Sequence, residues 1–177
     1  MQIKNVLNYK IGIILILLLI TGAVNAVENY LSTDQFVAET FGANVPKMQT
    51  LWLNKEDLKQ VDKILGHAPA QFRQRYWKSA DTTAWVLEEI GKGELITAGF
   101  VLKAGKILQV RILTYRESRG WEVRYPVFLK QYQGMALQSD SYLNRNIDGI
   151  SGATLSVKAV SRMARLALYY DQLSTKN

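Results

Sequence analysis

Apolar and polar residues alternate with two different periods along this chain of 177 residues, and the changes of period mark its elements. An unbroken apolar run from Ile11 to Ile20 comes first. A short helical pattern follows through Phe36, Val37 and Phe41, with Ser32 or Thr33 as its cap and Gly42 as its stop. Pro46 interrupts, and Met48 to Leu53 reads as a strand. Asn54 then opens a clearer helix, with Asp57 at capping-box spacing. Leu58, Val61, Ile64 and Leu65 form its buried stripe, and Gly66 ends it.

From Phe72 to Tyr115 the pattern is that of a sheet. Strands are predicted over Phe72 to Trp77, Ala84 to Leu87, Leu95 to Leu102 and Ile107 to Tyr115. Lys103-Ala104-Gly105-Lys106 has the form of a hairpin turn, with Gly105 supplying a positive φ. Ile107, Val110, Ile112 and Leu113 do not alternate cleanly, which predicts a bulge or burial on both faces. Pro126 is placed to open a helix through Val127, Phe128 and Tyr132 that Gly134 ends. From Leu155 onward Leu155, Ala159, Met163, Leu166 and Tyr170 make one helical stripe, and Lys158, Arg162 and Arg165 make a basic face beside it. That face reads either as solvated surface or as a dock for an acidic partner. The expected fold is α+β, a single domain with a twisted, mainly antiparallel sheet and packed helices behind an N-terminal signal or anchor segment. The expected boundaries are 1–26 for that segment, 27–70 for a helical N-terminal part and 71–177 for the core.

Charge separates the first segment from the rest. Lys4 and Lys10 precede the apolar run, and Thr21-Gly22-Ala23-Val24-Asn25-Ala26 follows it, the order of a secretory signal with Ala26 before the cleavage point. The run is short for a spanning helix, but counting Ile11 through Val27 keeps an uncleaved anchor open. Either way, the residues after 27 are expected on the periplasmic or extracytoplasmic face of the cell membrane. Removal of two lysines and no acids takes the formal charge from +7 to +5. The remaining basic residues are scattered among acids, so no nucleic-acid partner is expected. With no cysteine, thiol chemistry and cysteine-held clusters are excluded, and with a single histidine, His67, a histidine metal cluster is not expected. His67 falls just past a helix end, where it reads as a surface or capping group rather than a catalyst.

The candidate chemistry lies in Asp148-Gly149-Ile150-Ser151-Gly152-Ala153-Thr154-Leu155-Ser156, where turn residues and hydroxyls run straight into the last helix. Free N–H groups and the positive end of a helix dipole suit an anion such as a phosphate. Equally, Ser151 or Thr154 serves as a plain helix cap. Gly149-Ile150-Ser151-Gly152-Ala153 also approaches a hydrolase nucleophile elbow. It lacks the last glycine, and no histidine follows it.

The Asp148–Ser156 stretch resembles the flavinylation motif of the FMN-binding domain family, which includes the G subunit of Rnf complexes and the C subunit of the sodium-translocating NADH:quinone reductase. In that family a threonine of a Ser/Thr-Gly-Ala-Thr motif carries FMN through a phosphoester, attached by a separate flavin transferase that uses FAD. The resemblance implies covalent FMN on Thr154, with Asp148, Ser151, Gly152, Ala153 and Leu155 around it and Ser156 as a second nearby hydroxyl. It extends to Tyr115-Arg116-Glu117-Ser118-Arg119-Gly120-Trp121, similar to the family's Glu-Thr-Pro-Gly-like turn beside the flavin. Glu117 and Gly120 match that turn, while Ser118 and Arg119 replace its threonine and proline. In this setting Glu117 is expected to accept from a flavin or ribityl donor and Trp121 to cover a ring. Phe128 to Gly134 resembles the short helix and glycine that precede the motif.

The function implied is that of an exported flavoprotein relaying electrons between membrane or periplasmic redox partners. An electron carrier is expected rather than a complete enzyme. The alternative is a flavin-free extracytoplasmic scaffold or binding module with the same fold.

Overall fold

A computed structural model describes residues 28–176, so the expected signal or anchor segment lies outside the described residues. Six strands form one antiparallel sheet in the order β1-β6-β5-β4-β3-β2. They are β1 (Glu28–Asn29), β2 (Gln49–Trp52), β3 (Arg73–Ser79), β4 (Thr82–Ile90), β5 (Leu95–Lys103) and β6 (Lys106–Tyr115). The helices are α1 (Thr33–Phe41), α2 (Lys55–Leu65), the single turn α3 (Pro126–Leu129) and the long α4 (Thr154–Ser174). The architecture is the expected mixture of one antiparallel sheet and packed helices.

Local chemistry places the N-terminal helices where the pattern put them. Ser32 and Gln35 complete a capping box on α1, and Asn54 and Asp57 complete one on α2. Gly66 closes α2 in the left-handed conformation at φ 79°. The helix expected from Pro126 is broken instead. α3 stops at Leu129, a 3-10 turn covers Lys130–Tyr132, and Val127 faces solvent. Phe128, Leu129 and Tyr132 are the buried members of this stretch.

The central strands are buried on both faces, which explains the imperfect alternation. Trp85 and Leu87 of β4, and Ile96, Ala98, Phe100 and Leu102 of β5, join a core shared with α2 and α4. Ala84, Val101 and Leu113 pack on the other face with Phe36 and Val37 of α1. Gly99 makes that second layer possible, since a Cβ there would lie 2.6 Å from the Phe36 ring. β6 carries both expected irregularities, with register shifts against β5 and burial on two sides. In the β5–β6 hairpin Ala104 as well as Gly105 takes a positive φ, 50° and 72°.

Trp85 is the centre of the main core. Its ring stacks on Tyr76 at 4.5 Å and tilts against Tyr170 at 5.6 Å. Its indole N–H donates to Thr83 Oγ1 at 2.9 Å, and the Thr83 hydroxyl donates to Asp171 Oδ1 at 2.6 Å. Burial pushes the Asp171 carboxyl above the ordinary carboxylate range. This relay of buried polar groups fixes α4 against β4, and so sets where the start of α4 lies.

Candidate functional site

α4 begins at Thr154, with Ala153 as its N-cap and no side-chain hydrogen bond to the first turn. The capping roles open to Ser151 and Thr154 are therefore unfilled. An uncapped first turn leaves N–H donors and the dipole's positive end directed at whatever lies in front of it. Ala153 N–H turns back to the Ile150 carbonyl at 3.0 Å, and Gly152 enters the turn at φ 80°. Asp148 is fixed by its backbone N–H, which donates to Gln131 Oε1 at 2.8 Å.

The two hydroxyls near the helix start have opposite surroundings. Thr154 is exposed, as are Ser151 and Gly152. Ser156, one turn face away, is 3% exposed. Its Oγ lies 3.1 Å from the Tyr115 hydroxyl, which donates to the Arg119 carbonyl at 2.6 Å. Burial raises the Tyr115 phenol above its ordinary range, so it remains a donor.

Gly120 closes this knot. At φ 81° it occupies a conformation that favours glycine, and a Cβ would stand 2.9 Å from both Ser156 Oγ and Tyr115 Oη and 3.2 Å from Ala153 Cβ. The turn after β6 and the start of α4, distant in sequence, are thus in direct contact.

Glu117 sits in the same turn but faces the β4–β5 loop. Its Oε1 accepts from the N–H groups of Lys92, of Gly93 at 3.0 Å and of Glu94 at 3.3 Å. This clamp had no signal in the sequence, because it joins two loops more than twenty residues apart. Trp121 is 41% exposed and meets Tyr125 edge-on at 5.4 Å. The Arg124 guanidinium lies against both, 5.4 Å from the Trp121 ring and 5.8 Å from Tyr125, and 4.7 Å from Tyr30.

The helical stripe holds at Ala159, Met163, Leu166 and Tyr170 and departs from expectation only at Leu155. Leu155 is 46% exposed, whereas Ser156, Val157, Ala159, Val160, Met163 and Ala164 are buried. Two members of the basic face, Arg162 and Arg165, are engaged within the molecule, while Lys158 is exposed. Arg162 binds Glu89 at 2.8 Å and the Ile90 carbonyl at 3.2 Å, and Arg165 donates to the Ile64 carbonyl at 2.7 Å. Desolvation lowers the Arg165 guanidinium from its ordinary value.

His67 also has a partner that the sequence reading missed. Its Nε2 lies 3.1 Å from Glu89 Oε1, and its Nδ1 lies 3.1 Å from the Ala68 carbonyl. The available signal was the inward phase of β4, in which Thr83, Trp85, Leu87 and Glu89 share a face. A carboxylate at the end of such a row needs cations.

A cleft of about 690 Å³ lies elsewhere, along β6 between Tyr30 and the Tyr125–Lys130 stretch, and includes no residue of the Asp148–Ser156 motif. The helix start is thus an exposed platform with anion-ready N–H groups, beside a glycine turn and an exposed tryptophan. That donor set fits the phosphate end of a nucleotide-like cofactor with an aromatic portion.

The comparison with known families gives the class. Residues 91–169 match the model of the FMN-binding domain, and that match points to flavin binding by this part of the chain. The matched stretch runs from the loop clamped by Glu117, through β5, β6 and the Gly120 turn, into α4. No curated protein matches the chain.

Proposed function

We propose that this chain carries FMN as a phosphoester on Thr154, attached by a separate flavin transferase that uses FAD, and relays electrons between membrane or periplasmic redox partners. The observation that carries this reading is the contrast at the start of α4. Thr154 is exposed as the first residue of an uncapped helix of 21 residues, while Ser156 is buried against Tyr115. An outside enzyme can reach the first hydroxyl and not the second.

A threonine hydroxyl is a weak nucleophile unaided, and no general base is among its hydrogen-bond partners, so activation belongs to the transferase. The N–H groups of the first turn would stabilise the phosphoester charge. Ser151 and Gly152 would flank it, and the exposed face of Trp121 offers an apolar surface to a ring. When bound, the flavin supplies one- or two-electron transfer. The chain's own residues hold it in place at the surface, within reach of partners. The order of Lys4, Lys10, the apolar run and Ala26 supports an extracytoplasmic location, as a released or membrane-anchored form.

The test is a visible spectrum of the protein made with a flavin transferase and then precipitated with acid. Yellow colour that stays with the polypeptide supports covalent FMN. Flavin released to the supernatant contradicts covalent attachment, and a colourless protein supports the scaffold alternative.

A further inference from the structure

The sheet edge at β6 is only partly covered. β1 pairs with Thr114 and Tyr115, and the N–H groups of Tyr30 and Leu31 both reach the Leu113 carbonyl. At the other end Gly134 N–H donates to the Ile107 carbonyl at 2.7 Å, and Ile107 N–H donates to the Met135 carbonyl at 2.9 Å. Between these two closures, residues 108–112 have no backbone partner on this edge among the described residues. At a rise of about 3.3 Å per residue the open stretch is roughly 17 Å long.

The cleft of about 690 Å³ includes this stretch and is also lined by Tyr30, Leu31, Tyr125, Pro126 and Leu129. Among the described residues its charged lining is Arg111, Arg124 and Lys130, with no Asp or Glu. Arg111 meets Glu39 at 3.6 Å, but both side chains are about half exposed, so that pair neutralises little. Leu108 is 47% exposed within the cleft. An open strand edge of this kind is a ready template for another chain, and main-chain hydrogen bonds along it give affinity while side pockets give selectivity.

We propose that the β6 edge between Leu108 and Ile112 is a strand-addition site for an extended, acidic segment of a partner protein. The backbone edge selects an extended chain, the two hydrogen-bonded closures limit it to a short segment, and Arg111 and Lys130 select carboxylates. The site shares no residue with the Asp148–Ser156 motif and stands independently of the flavin reading.

The test uses the full chain and a fluorescent ten-residue probe of alternating Glu and Val. Two control probes carry N-methyl groups on every second amide or Lys in place of Glu. The Glu/Val probe should bind and slow amide hydrogen exchange in residues 108–112. Both control changes should weaken binding by about tenfold or more. Arg111→Gln with Lys130→Gln should weaken the Glu/Val probe comparably, with an unchanged thermal midpoint. Equal binding of the N-methylated probe, or no protection in residues 108–112, would overturn the proposal. So would protection produced by phosphatidylglycerol vesicles, or by raising the protein's own concentration, when the probe fails to bind.

Discussion

Tyr115 at the end of β6 and Ser156 in the first turn of α4 meet with their hydroxyl oxygens 3.1 Å apart, across 41 residues of sequence. That meeting ties the turn carrying Gly120 and Trp121 to the helix start carrying Thr154. The same Tyr115 hydroxyl donates to the Arg119 carbonyl at 2.6 Å, so one phenol holds the turn and the helix together. Ser156 is buried at this contact, and the platform is left with Ser151 and Thr154 as its exposed hydroxyls.

Tyr115→Phe should therefore loosen the platform without emptying the core. The ring remains, while Ser156 Oγ and the Arg119 carbonyl lose their buried partner. A loss of about 1–3 kcal/mol is expected, read by urea denaturation. Amide exchange should quicken in residues 116–121 and at the start of α4, and no change there would count against the tie.

Gly99→Ala should destabilise the opposite layer, because its Cβ falls 2.6 Å from the Phe36 ring on a strand with little freedom to move. The expected cost is about 1–3 kcal/mol. Phe36→Leu is costly alone, yet it removes the clash. The double variant should thus lose less than the two single losses together, and simple additivity would contradict the contact.

Stability should also depend on pH through His67. Its imidazole lies above the ordinary value of 6.5, chiefly through the Ala68 carbonyl and next through Glu89. A raised folded-state pKa gives stability that is fully present below the unfolded value of about 6.5 and fades as pH climbs through the higher folded value. Urea midpoints should fall from about pH 6 to pH 8, and His67→Gln should flatten that slope. Arg162 keeps Glu89 paired in the variant, so the fold should survive. An unchanged slope would separate His67 from the effect.

Much of this fold was legible because local chemistry and tertiary packing agree in it. Ser32, Asn54, Gly42 and Gly66 mark helix ends that the structure keeps, and the irregular apolar spacing of β6 does reflect burial on both faces. Leu155 misled because hydrophobicity alone assigned it to the stripe. The buried stripe starts instead at Ser156, whose hydroxyl meets Tyr115 beside the Gly120 turn. Arg162 and Arg165 likewise read as surface, since a single sequence does not show that Glu89 and the end of α2 lie beneath them. At the site, the motif and the Gly120 turn were legible separately. Their contact, and the Glu117 clamp on the loop at 92–94, depend on long-range packing that no local pattern encodes.

The most direct test of the central claim is the intact mass of three proteins made beside a flavin transferase: the native chain, Thr154→Val and Ser156→Ala. Thr154→Val keeps the side-chain shape at an exposed position and deletes only the hydroxyl. The native chain and Ser156→Ala should each gain the mass of one FMN less one water, and Thr154→Val should gain nothing. A flavin adduct that persists on Thr154→Val, or disappears with Ser156→Ala in a folded protein, would contradict the assignment of Thr154.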